Sequence, residues 1–586
     1  MSLNYVLIIA PMFFAFVVMP SSLKIRDVLS ILFVLILSML SLVTIFSYTG
    51  AFESILPHWL HNVFILIDIL LLLYFLMQGR LSKNNLVSSL ALLQMILYAI
   101  VLYLSPTTSS YDLLVDEISL VMFLIINIVG GIIIVYALKY IENEEFSRFK
   151  KNGFIAILFF FLAVMNFIVS TNNIEIFFML FELTTLASYV LIAYRKDEVS
   201  TKNALQALWM NQIGGVAILV ALLVSITQYD TIYFDVLIAN IDEKYLIPIV
   251  LLAIAGFVKG ASIPYEKWLL GAMVAPTPVS AILHSATMVK IAPYLILKLA
   301  PAMSGFISVT ITTLGTFVFF SASLLALSKD YFKEILGLST IALLALMMAL
   351  AAVGTDVATT ACLVLILFHA ISKALLFLQA GILEKSFNLK YVDDINGLIN
   401  DSPLVVFFIT VGFASLALPP FGAFIAKFMA IESIADMIKT NPLYVLSLIF
   451  IALGSVSLTL LYFKVLTKLF AKDVDSKSTH VKISKYYTIP SFILLILLVV
   501  GIYISFDMQL LSVMEIITPL LLISIVPVLF ASVLFKGAHR VKEYHCGEKD
   551  SLELSMYYFK MPPSVEKAIT VLAIALMVIL IMGVLL

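Results

Sequence analysis

The sequence predicts an all-α, polytopic membrane bundle of about 18 transmembrane helices, containing two inverted five-helix repeats, each with a broken helix. Three observations predict it: an apolar composition, a succession of apolar segments of spanning length, and loops whose basic charge alternates from side to side. With 62% hydrophobic residues, 12% charged residues and a mean hydropathy of +1.12, the chain lacks the polar surface of a water-soluble body. Its 586 residues are therefore not counted as soluble domains of about 150 residues, because a bundle of spans of about 20 residues uses that length as one body. A net charge of -1 without a long basic run argues against nucleic acid as a partner. Cys362 and Cys546 are the only cysteines and form no CxxC, so this chain alone does not ligate an iron–sulfur cluster or a structural zinc.

In chain order the apolar segments lie near 4–20, 27–48, 60–78, 85–104, 115–138, 152–170, 174–194, 203–227, 246–263, 276–299, 306–328, 334–354, 357–382, 403–435, 443–467, 486–505, 511–535 and 565–586. The first, within MSLNYVLIIAPMFFAFVVMP, lacks a basic leading region and reads as a span, not a removable signal peptide. One set of loops carries Lys24 and Arg26, Arg80 and Lys83, Lys139 to Lys151, Arg195 to Lys202, Lys329 and Lys333, Lys385 and Lys390, Lys472 to Lys485, and Lys536 to Lys549. The intervening loops contain only Lys244 and Lys439. By the positive-inside rule the basic set is cytoplasmic and both termini lie outside.

Two spans are interrupted, one by Pro264 in GFVKGASIPYEKW and one by Pro419 and Pro420 in LALPPFGAFIAKF. Proline removes a backbone donor and clashes with the preceding turn, so at membrane depth the freed groups must face protein or water. Each break is close to a lysine, and each broken span is the fourth of five. An odd number of spans inverts the second unit, the pattern of transporters that carry an ion site on discontinuous helices. The expected divisions are N-terminal helices over 1–151, a first five-helix repeat over 152–299, a second, inverted one over 300–470, and C-terminal helices over 471–586 with a cytoplasmic loop at 536–564.

Eight ionisable residues sit within these apolar stretches: Glu182, Lys259, His284, Lys290, His369, Lys373, Lys427 and Glu432. A Lys or Asp at the centre of a spanning helix costs roughly 2.5–3.5 kcal/mol on insertion scales, so such residues are functional candidates. Each also has a plainer reading. Glu182 and Lys259 can form an ion pair that only holds two helices together, and Glu432, about one turn beyond Lys427, can simply neutralise it. The two histidines can be satisfied by neighbouring backbone groups. Lys298, Lys464 and Lys468, at span ends, read as snorkelling to the interface. Asp116 and Glu117 open a span at the interface, and Cys546 beside His545 reads as a cytosolic thiol in a subunit contact.

From about 115 to 470 the chain resembles the antiporter-like subunits of respiratory complex I, multisubunit cation/proton antiporters and membrane-bound energy-converting hydrogenases. The resemblance is carried by FELTTLASYVLIAY (181–194), FVKGASIPYEKWLLGAMVAPTPVSAILHSATMVK (257–290), KDYFKEILGLST (329–340), FHAISKALLFLQAG (368–381) and LALPPFGAFIAKF (416–428). It implies that Glu182 is a coupling carboxylate with Lys259 as its partner, that Lys427 is a terminal lysine, and that His284, Lys290, His369 and Lys373 form the relay between them. The segment YHCGEKDSLELSMYYFKMPPSVEKA is similar to the large antiporter-like subunit of group 4 hydrogenases, and the stretch from Lys536 to Glu566 is too short for the long lateral helix of complex I's distal subunit.

The resemblance thus implies a non-catalytic subunit that moves H+ or Na+ within a redox-driven complex in the cytoplasmic membrane of a bacterium or archaeon, most closely an energy-converting [NiFe] hydrogenase. Other membrane subunits and a peripheral redox module, which would carry the iron–sulfur clusters and the nickel–iron centre, are its implied partners; this chain is expected to hold no cofactor. Two alternatives share the core: a Na+/H+ antiporter subunit or NADH-quinone oxidoreductase subunit, and a non-conducting scaffold whose charges only fix packing. Ser or Asn would fix packing at less desolvation cost than a line of lysines.

Overall fold

The computed structural model describes all residues except 1–2, 105, 107, 143, 242–245, 471–482, 509, 511–558 and 586. Four helices come first: α1 (Leu3–Val18), α2 (Leu23–Phe46), α3 (His58–Leu81) and α4 (Asn85–Tyr103). α5 (Glu117–Leu124) passes through a π turn at Ile125–Val129 into α6 (Gly130–Glu142). Then come α7 (Arg148–Ile168), α8 (Ile174–Ile192), α9 (Glu198–Tyr229), the short α10 (Phe234–Asn240), and a broken pair, α11 (Ile247–Lys259) and α12 (Glu266–Gly271). A winding span follows, made of α13 (Thr277–Ala281), a π turn at Ile282–Ala286 and α14 (Ile291–Leu299). Further on lie α15 (Gly305–Leu327), α16 (Phe332–Val353), α17 (Asp356–Ile382), a second broken pair, α18 (Pro403–Ala417) and α19 (Gly422–Met437), then α20 (Tyr444–Leu469), α21 (Lys485–Asp507) and α22 (Pro563–Leu585).

Among the described residues, fifteen helical stretches are long and apolar enough to cross a membrane, and Leu3–Val18 and Ile247–Lys259 are shorter apolar helices. Together they account for every predicted segment but 511–535, which lies outside the described residues, as do Cys546 and most of the 536–564 loop. The chain is a multi-pass membrane protein. Short polar residues start several helices: Asn173 accepts from the Glu175 and Ile176 N–H groups, Asp197 from Ser200 and Thr355 from Ala358. Asp116 likewise caps α5, accepting from the Ser119 N–H.

Burial divides core from rim. The most apolar stretches of α16 and of Thr277–Ala302 are 100% buried, whereas those of α3 and α22 are 22% buried and turn most of their side chains outward. Large apolar residues such as Leu66, Leu70, Val571 and Leu572 are exposed on the rim, where lipid or another subunit must cover them.

The two breaks occur where the prolines predict them. α11 ends at Lys259, Ala261 takes a left-handed φ of 52°, the Ile263–Pro264 bond is cis, and α12 resumes at Glu266. α18 ends at Ala417, the Pro419–Pro420 bond is cis, and α19 starts at Gly422.

Short backbone clasps pin the helix ends. Strands β1 (Phe52–Ser54) and β2 (Leu113–Val115) pair antiparallel, and isolated antiparallel bridges join Asn173 to Tyr233 and Tyr331 to Tyr391. Two of the lysines read as snorkelling turn inward to these clasps. Lys298 Nζ donates to the Thr171 carbonyl at 2.9 Å, and Lys464 Nζ reaches the Leu327 and Lys329 carbonyls and the Asp330 carboxylate at 3.0, 2.7 and 3.1 Å. Frayed carbonyls nearby offer fixed acceptors that a flexible lysine stem can reach without lengthening into the interface. Lys468 pairs with Asp393 at 2.7 Å. Two of the counted loop charges are also internal: Arg26, on Asp27 and Asn152, and Lys333, on Glu384 at 2.7 Å.

Candidate functional site: a buried line of ionisable side chains

Seven of the eight singled-out residues are buried, at 0–5% exposure, and they fall into three groups along the bundle. The first joins α8 and α11. Glu182 Oε1 accepts from Gln94 Nε2 on α4 at 2.8 Å, while Oε2 has no hydrogen-bond partner. Lys259 Nζ donates to Thr185 Oγ1 at 2.9 Å and to the Phe181 carbonyl at 3.1 Å, with the Phe181 ring 3.6 Å away. No N···O contact within 4.0 Å joins Lys259 to Glu182. Lys259 bonds to α8 and Glu182 to α4, and the two do not form a direct ion pair, so the plain ion-pair reading does not describe this geometry.

The second group lies where the Ile282–Ala286 turn and α14 meet α17. Lys290 Nζ is 2.7 Å from His369 Nδ1 and 3.8 Å from the Met347 sulfur. His284 packs on the Phe377 ring, centroids 5.0 Å apart, with both ring nitrogens unpartnered; His369 Nε2 is unpartnered as well. Lys373 Nζ donates to the Leu336 carbonyl at 3.0 Å and to Ser339 at 2.5 Å. These four basic groups lie close together, His369 near Lys290, Lys373 and His284, and among the described residues none of them forms an ion pair with a carboxylate. Like charges this close in a medium of low dielectric constant disfavour simultaneous protonation, so a proton gained by one is repelled by the next.

The third group is at the second break. Lys427 Nζ turns back onto the Leu416 and Ala417 carbonyls at 3.2 and 3.4 Å, at the C-terminal end of α18 where the helix dipole is negative. Glu432 stands apart. It is exposed on the outer face of α19 and makes no ion pair with Lys427, so the structure does not bring it into the buried line and does not support mutual neutralisation. Hydroxyls span part of the gap between the second and third groups: Ser415 donates to Ser372, the neighbour of Lys373, at 2.6 Å, and Ser415 directly precedes the carbonyl pair that holds Lys427.

Sequence reasoning missed the partners Gln94, Thr185, Ser339, Ser372 and Ser415, because neutral polar residues are ordinary in spanning helices. It also passed over Asp68 in NVFILIDILLLLY, which the charge-in-an-apolar-run criterion does flag. Asp68 is 1% exposed on α3. Among the described residues no group of three or more His, Cys, Asp or Glu side chains is placed to hold a metal ion.

Comparison with known proteins agrees with this architecture. The family described as NADH:quinone oxidoreductase/Mrp antiporter, transmembrane, matches residues 171–454, and that described as NADH-ubiquinone oxidoreductase (complex I), chain 5 N-terminus, matches 102–150. Na(+)/H(+) antiporter subunit A1 of Staphylococcus aureus (strain MRSA252) is 31% identical over 355 residues, 57% of this chain and 44% of that protein. Its counterpart in Staphylococcus haemolyticus (strain JCSC1435) is 29% identical over the same shares. The chain thus spans less than half the length of these curated relatives. Among solved structures, a chain of the membrane-bound sulfane sulfur reductase (MBS), an archaeal respiratory membrane complex, shares the fold with a TM-score of 0.62 at 19% identity, over 77% of this chain and 95% of that one. The motifs, the paired helix breaks and these matches together identify the chain as a member of the antiporter-like subunit family of complex I and the multisubunit cation/proton antiporters.

Proposed function

We propose that the chain carries protons or sodium ions across the cytoplasmic membrane of a bacterium or archaeon, as one subunit of a larger membrane complex. The observation that carries this reading is the unclosed pair of Glu182 and Lys259 beside a broken helix. A carboxylate that closes on a buried ammonium favours the protonated lysine, and one that withdraws favours release, so a small movement of α8 against α11 switches proton affinity. The released charge is driven onward by repulsion through Lys290, His369, His284 and Lys373, and by way of Ser372 and Ser415 to Lys427. A scaffold needs none of these unsatisfied groups. The test is Glu182→Gln and Lys259→Ala in the intact complex in proteoliposomes: translocation is expected to fall to background while the complex assembles. Full translocation by either variant returns the pair to a packing role.

The finer reading is a redox-driven complex, an energy-converting [NiFe] hydrogenase related to complex I, in which partner subunits hold the nickel–iron and iron–sulfur centres. The similarity of the segment ending in SVEKA supports it. A second reading, a subunit of a multisubunit sodium/proton antiporter without a redox module, is favoured by the curated relatives, both Na(+)/H(+) antiporter subunits. Polypeptides that co-purify after mild detergent extraction separate the two: a hydrogenase-type module supports the first, and membrane subunits alone support the second.

A further inference from the structure

All but the last two residues of the α3–α4 hairpin lie ahead of residue 102, where the first family match begins, yet the hairpin reaches Glu182 directly. Gln94 on α4 donates to Glu182 at 2.8 Å and to the Gln212 carbonyl at 3.2 Å. One turn towards the basic-poor face, Tyr98 on the same side of α4 donates to Glu175 at 3.0 Å, and Glu175 is only partly buried. Glu175 and Glu182 are two turns apart on α8, about 10 Å along its axis. Asp68 of α3 lies beside this column, near Tyr98, Glu175 and Glu182. It is 1% exposed; the Tyr98 hydroxyl, whose well-formed bond goes to Glu175, is its polar neighbour, and no bond of standard geometry closes on either oxygen. Gln94 Oε1, Glu182 Oε2 and both side-chain polar atoms of Gln212 are also unpartnered.

Unpartnered polar atoms in a bilayer interior are expensive unless something polar visits them, and an orphaned carboxylate is the most expensive of all. Packing does not explain Asp68, since a leucine would fill the same place in an otherwise apolar stretch of α3 without that cost. The three carboxylates descend from the partly open Glu175 to the fully buried Glu182, with Tyr98 and Gln94 as the polar groups between them. That is the order a cation would meet on its way inward.

We propose that Asp68, with Tyr98 and Glu175, forms a loading station that delivers the translocated monovalent cation to Glu182 from the face the loop charges assign to the outside. The inference rests on the translocation reading above. The carried species is a proton passed between carboxyls or a sodium ion held by carboxylate and amide oxygens; the two share the station's chemistry.

The test uses the intact complex in proteoliposomes, with sodium and protons as the probes. Asp68→Asn is expected to slow translocation by about tenfold or more, Asp68→Glu to keep most of the rate, and Tyr98→Phe to fall between them. If sodium is the species loaded, Asp68→Asn raises the apparent KM for sodium at constant pH; if protons are, it moves the pH–rate profile and leaves the sodium KM alone. A wild-type rate for Asp68→Asn, or an equal loss for Asp68→Glu in assembled complex, overturns the proposal. Should Asp68→Asn not assemble, Tyr98→Phe decides: an undiminished rate overturns the station and a reduced one supports it. Glu182→Gln run alongside separates the two levels of inference. If Glu182→Gln is inactive while Asp68→Asn is normal, only the loading station falls; if Glu182→Gln is itself normal, the translocation reading falls.

Discussion

The two broken helices solve one backbone problem with different donors. Each break strands carbonyl groups at the end of its first half-helix, deep in the bundle where water is scarce. At the first, the Trp268 indole donates to the Val258 carbonyl at 2.9 Å, which leaves the neighbouring Lys259 free to reach across to Thr185 and Phe181 on α8. At the second, Lys427 itself supplies the bonds to Leu416 and Ala417. The first lysine is therefore mechanically independent of its break. The second is part of it, so any loss of charge on Lys427 would weaken its hold on the carbonyl end of α18, and a proton released there would free the helix ends to move.

The clasps make a parallel contrast. Ile174 and Phe234 N–H groups exchange bonds with the Ile232 and Asn172 carbonyls, and Phe332 and Val392 do the same with Lys390 and Asp330. The shift that carries Asn173 to Tyr331 also carries Tyr233 to Tyr391, and Glu198, which opens α9, to Asp356, which opens α17. In each clasp a lysine donates to the carbonyl two residues before the bridge, Lys298 to Thr171 and Lys464 to Lys329. The two clasps are thus built alike, 158 residues apart. The clasps differ in what stands next to them: Glu175 beside one, near the Asp68 carboxylate, and Lys333 paired with Glu384 beside the other.

The sharpest way to break the contrast between the helix breaks is at Lys427. Lys427→Arg keeps a positive donor on the carbonyls but holds its proton far too tightly to release, so translocation should fall nearly to the level of Lys427→Met. Only Lys427→Met should also lose thermal stability, by about 1–3 kcal/mol for the uncapped carbonyls. Near-normal flux with arginine would remove Lys427 from the proton path and leave it a capping residue. A smaller effect is expected at Trp268. Trp268→Phe keeps the ring and deletes the N–H, costing about 1–3 kcal/mol in a melt of the purified complex while lowering the rate only modestly. A rate loss as deep as that of Lys259→Ala would mean that the first break is coupled to its lysine after all.

The smallest effect concerns acid sensitivity of the clasp that includes Asn173. Burial raises the Asp112 carboxyl, but bonds from His61, the Leu56 N–H and Asn173 outweigh it and hold the group below its ordinary value of 3.8. A depressed carboxyl contributes its stabilisation in full above about pH 4, and the contribution is lost as pH falls through the lowered value. Thermal midpoints measured down a pH series should show an acid decline that Asp112→Asn flattens. An identical slope in that variant would assign the decline to other groups.

Composition, segment length and proline position determined from the chain alone that this is an all-helical membrane bundle, where its spans run and where two of them break. The bilayer makes that legible, because a fixed hydrocarbon thickness turns a one-dimensional count of apolar residues into a structural statement. The intramembrane charges were legible for a related reason, their desolvation cost, although Asp68 went unnoticed and Glu432 lies on the outer face of α19. Their partners were not legible. Lys259 rests on Thr185 and Phe181 instead of Glu182, Lys298 and Lys464 fold inward, and Gln94 comes from a distant hairpin to meet Glu182. Those outcomes depend on how each helix is rotated about its axis and on which neighbour it packs against. Successive residues on a helix point about 100° apart, so the helix face a side chain occupies, and hence its donors and acceptors, is decided only when the whole bundle assembles.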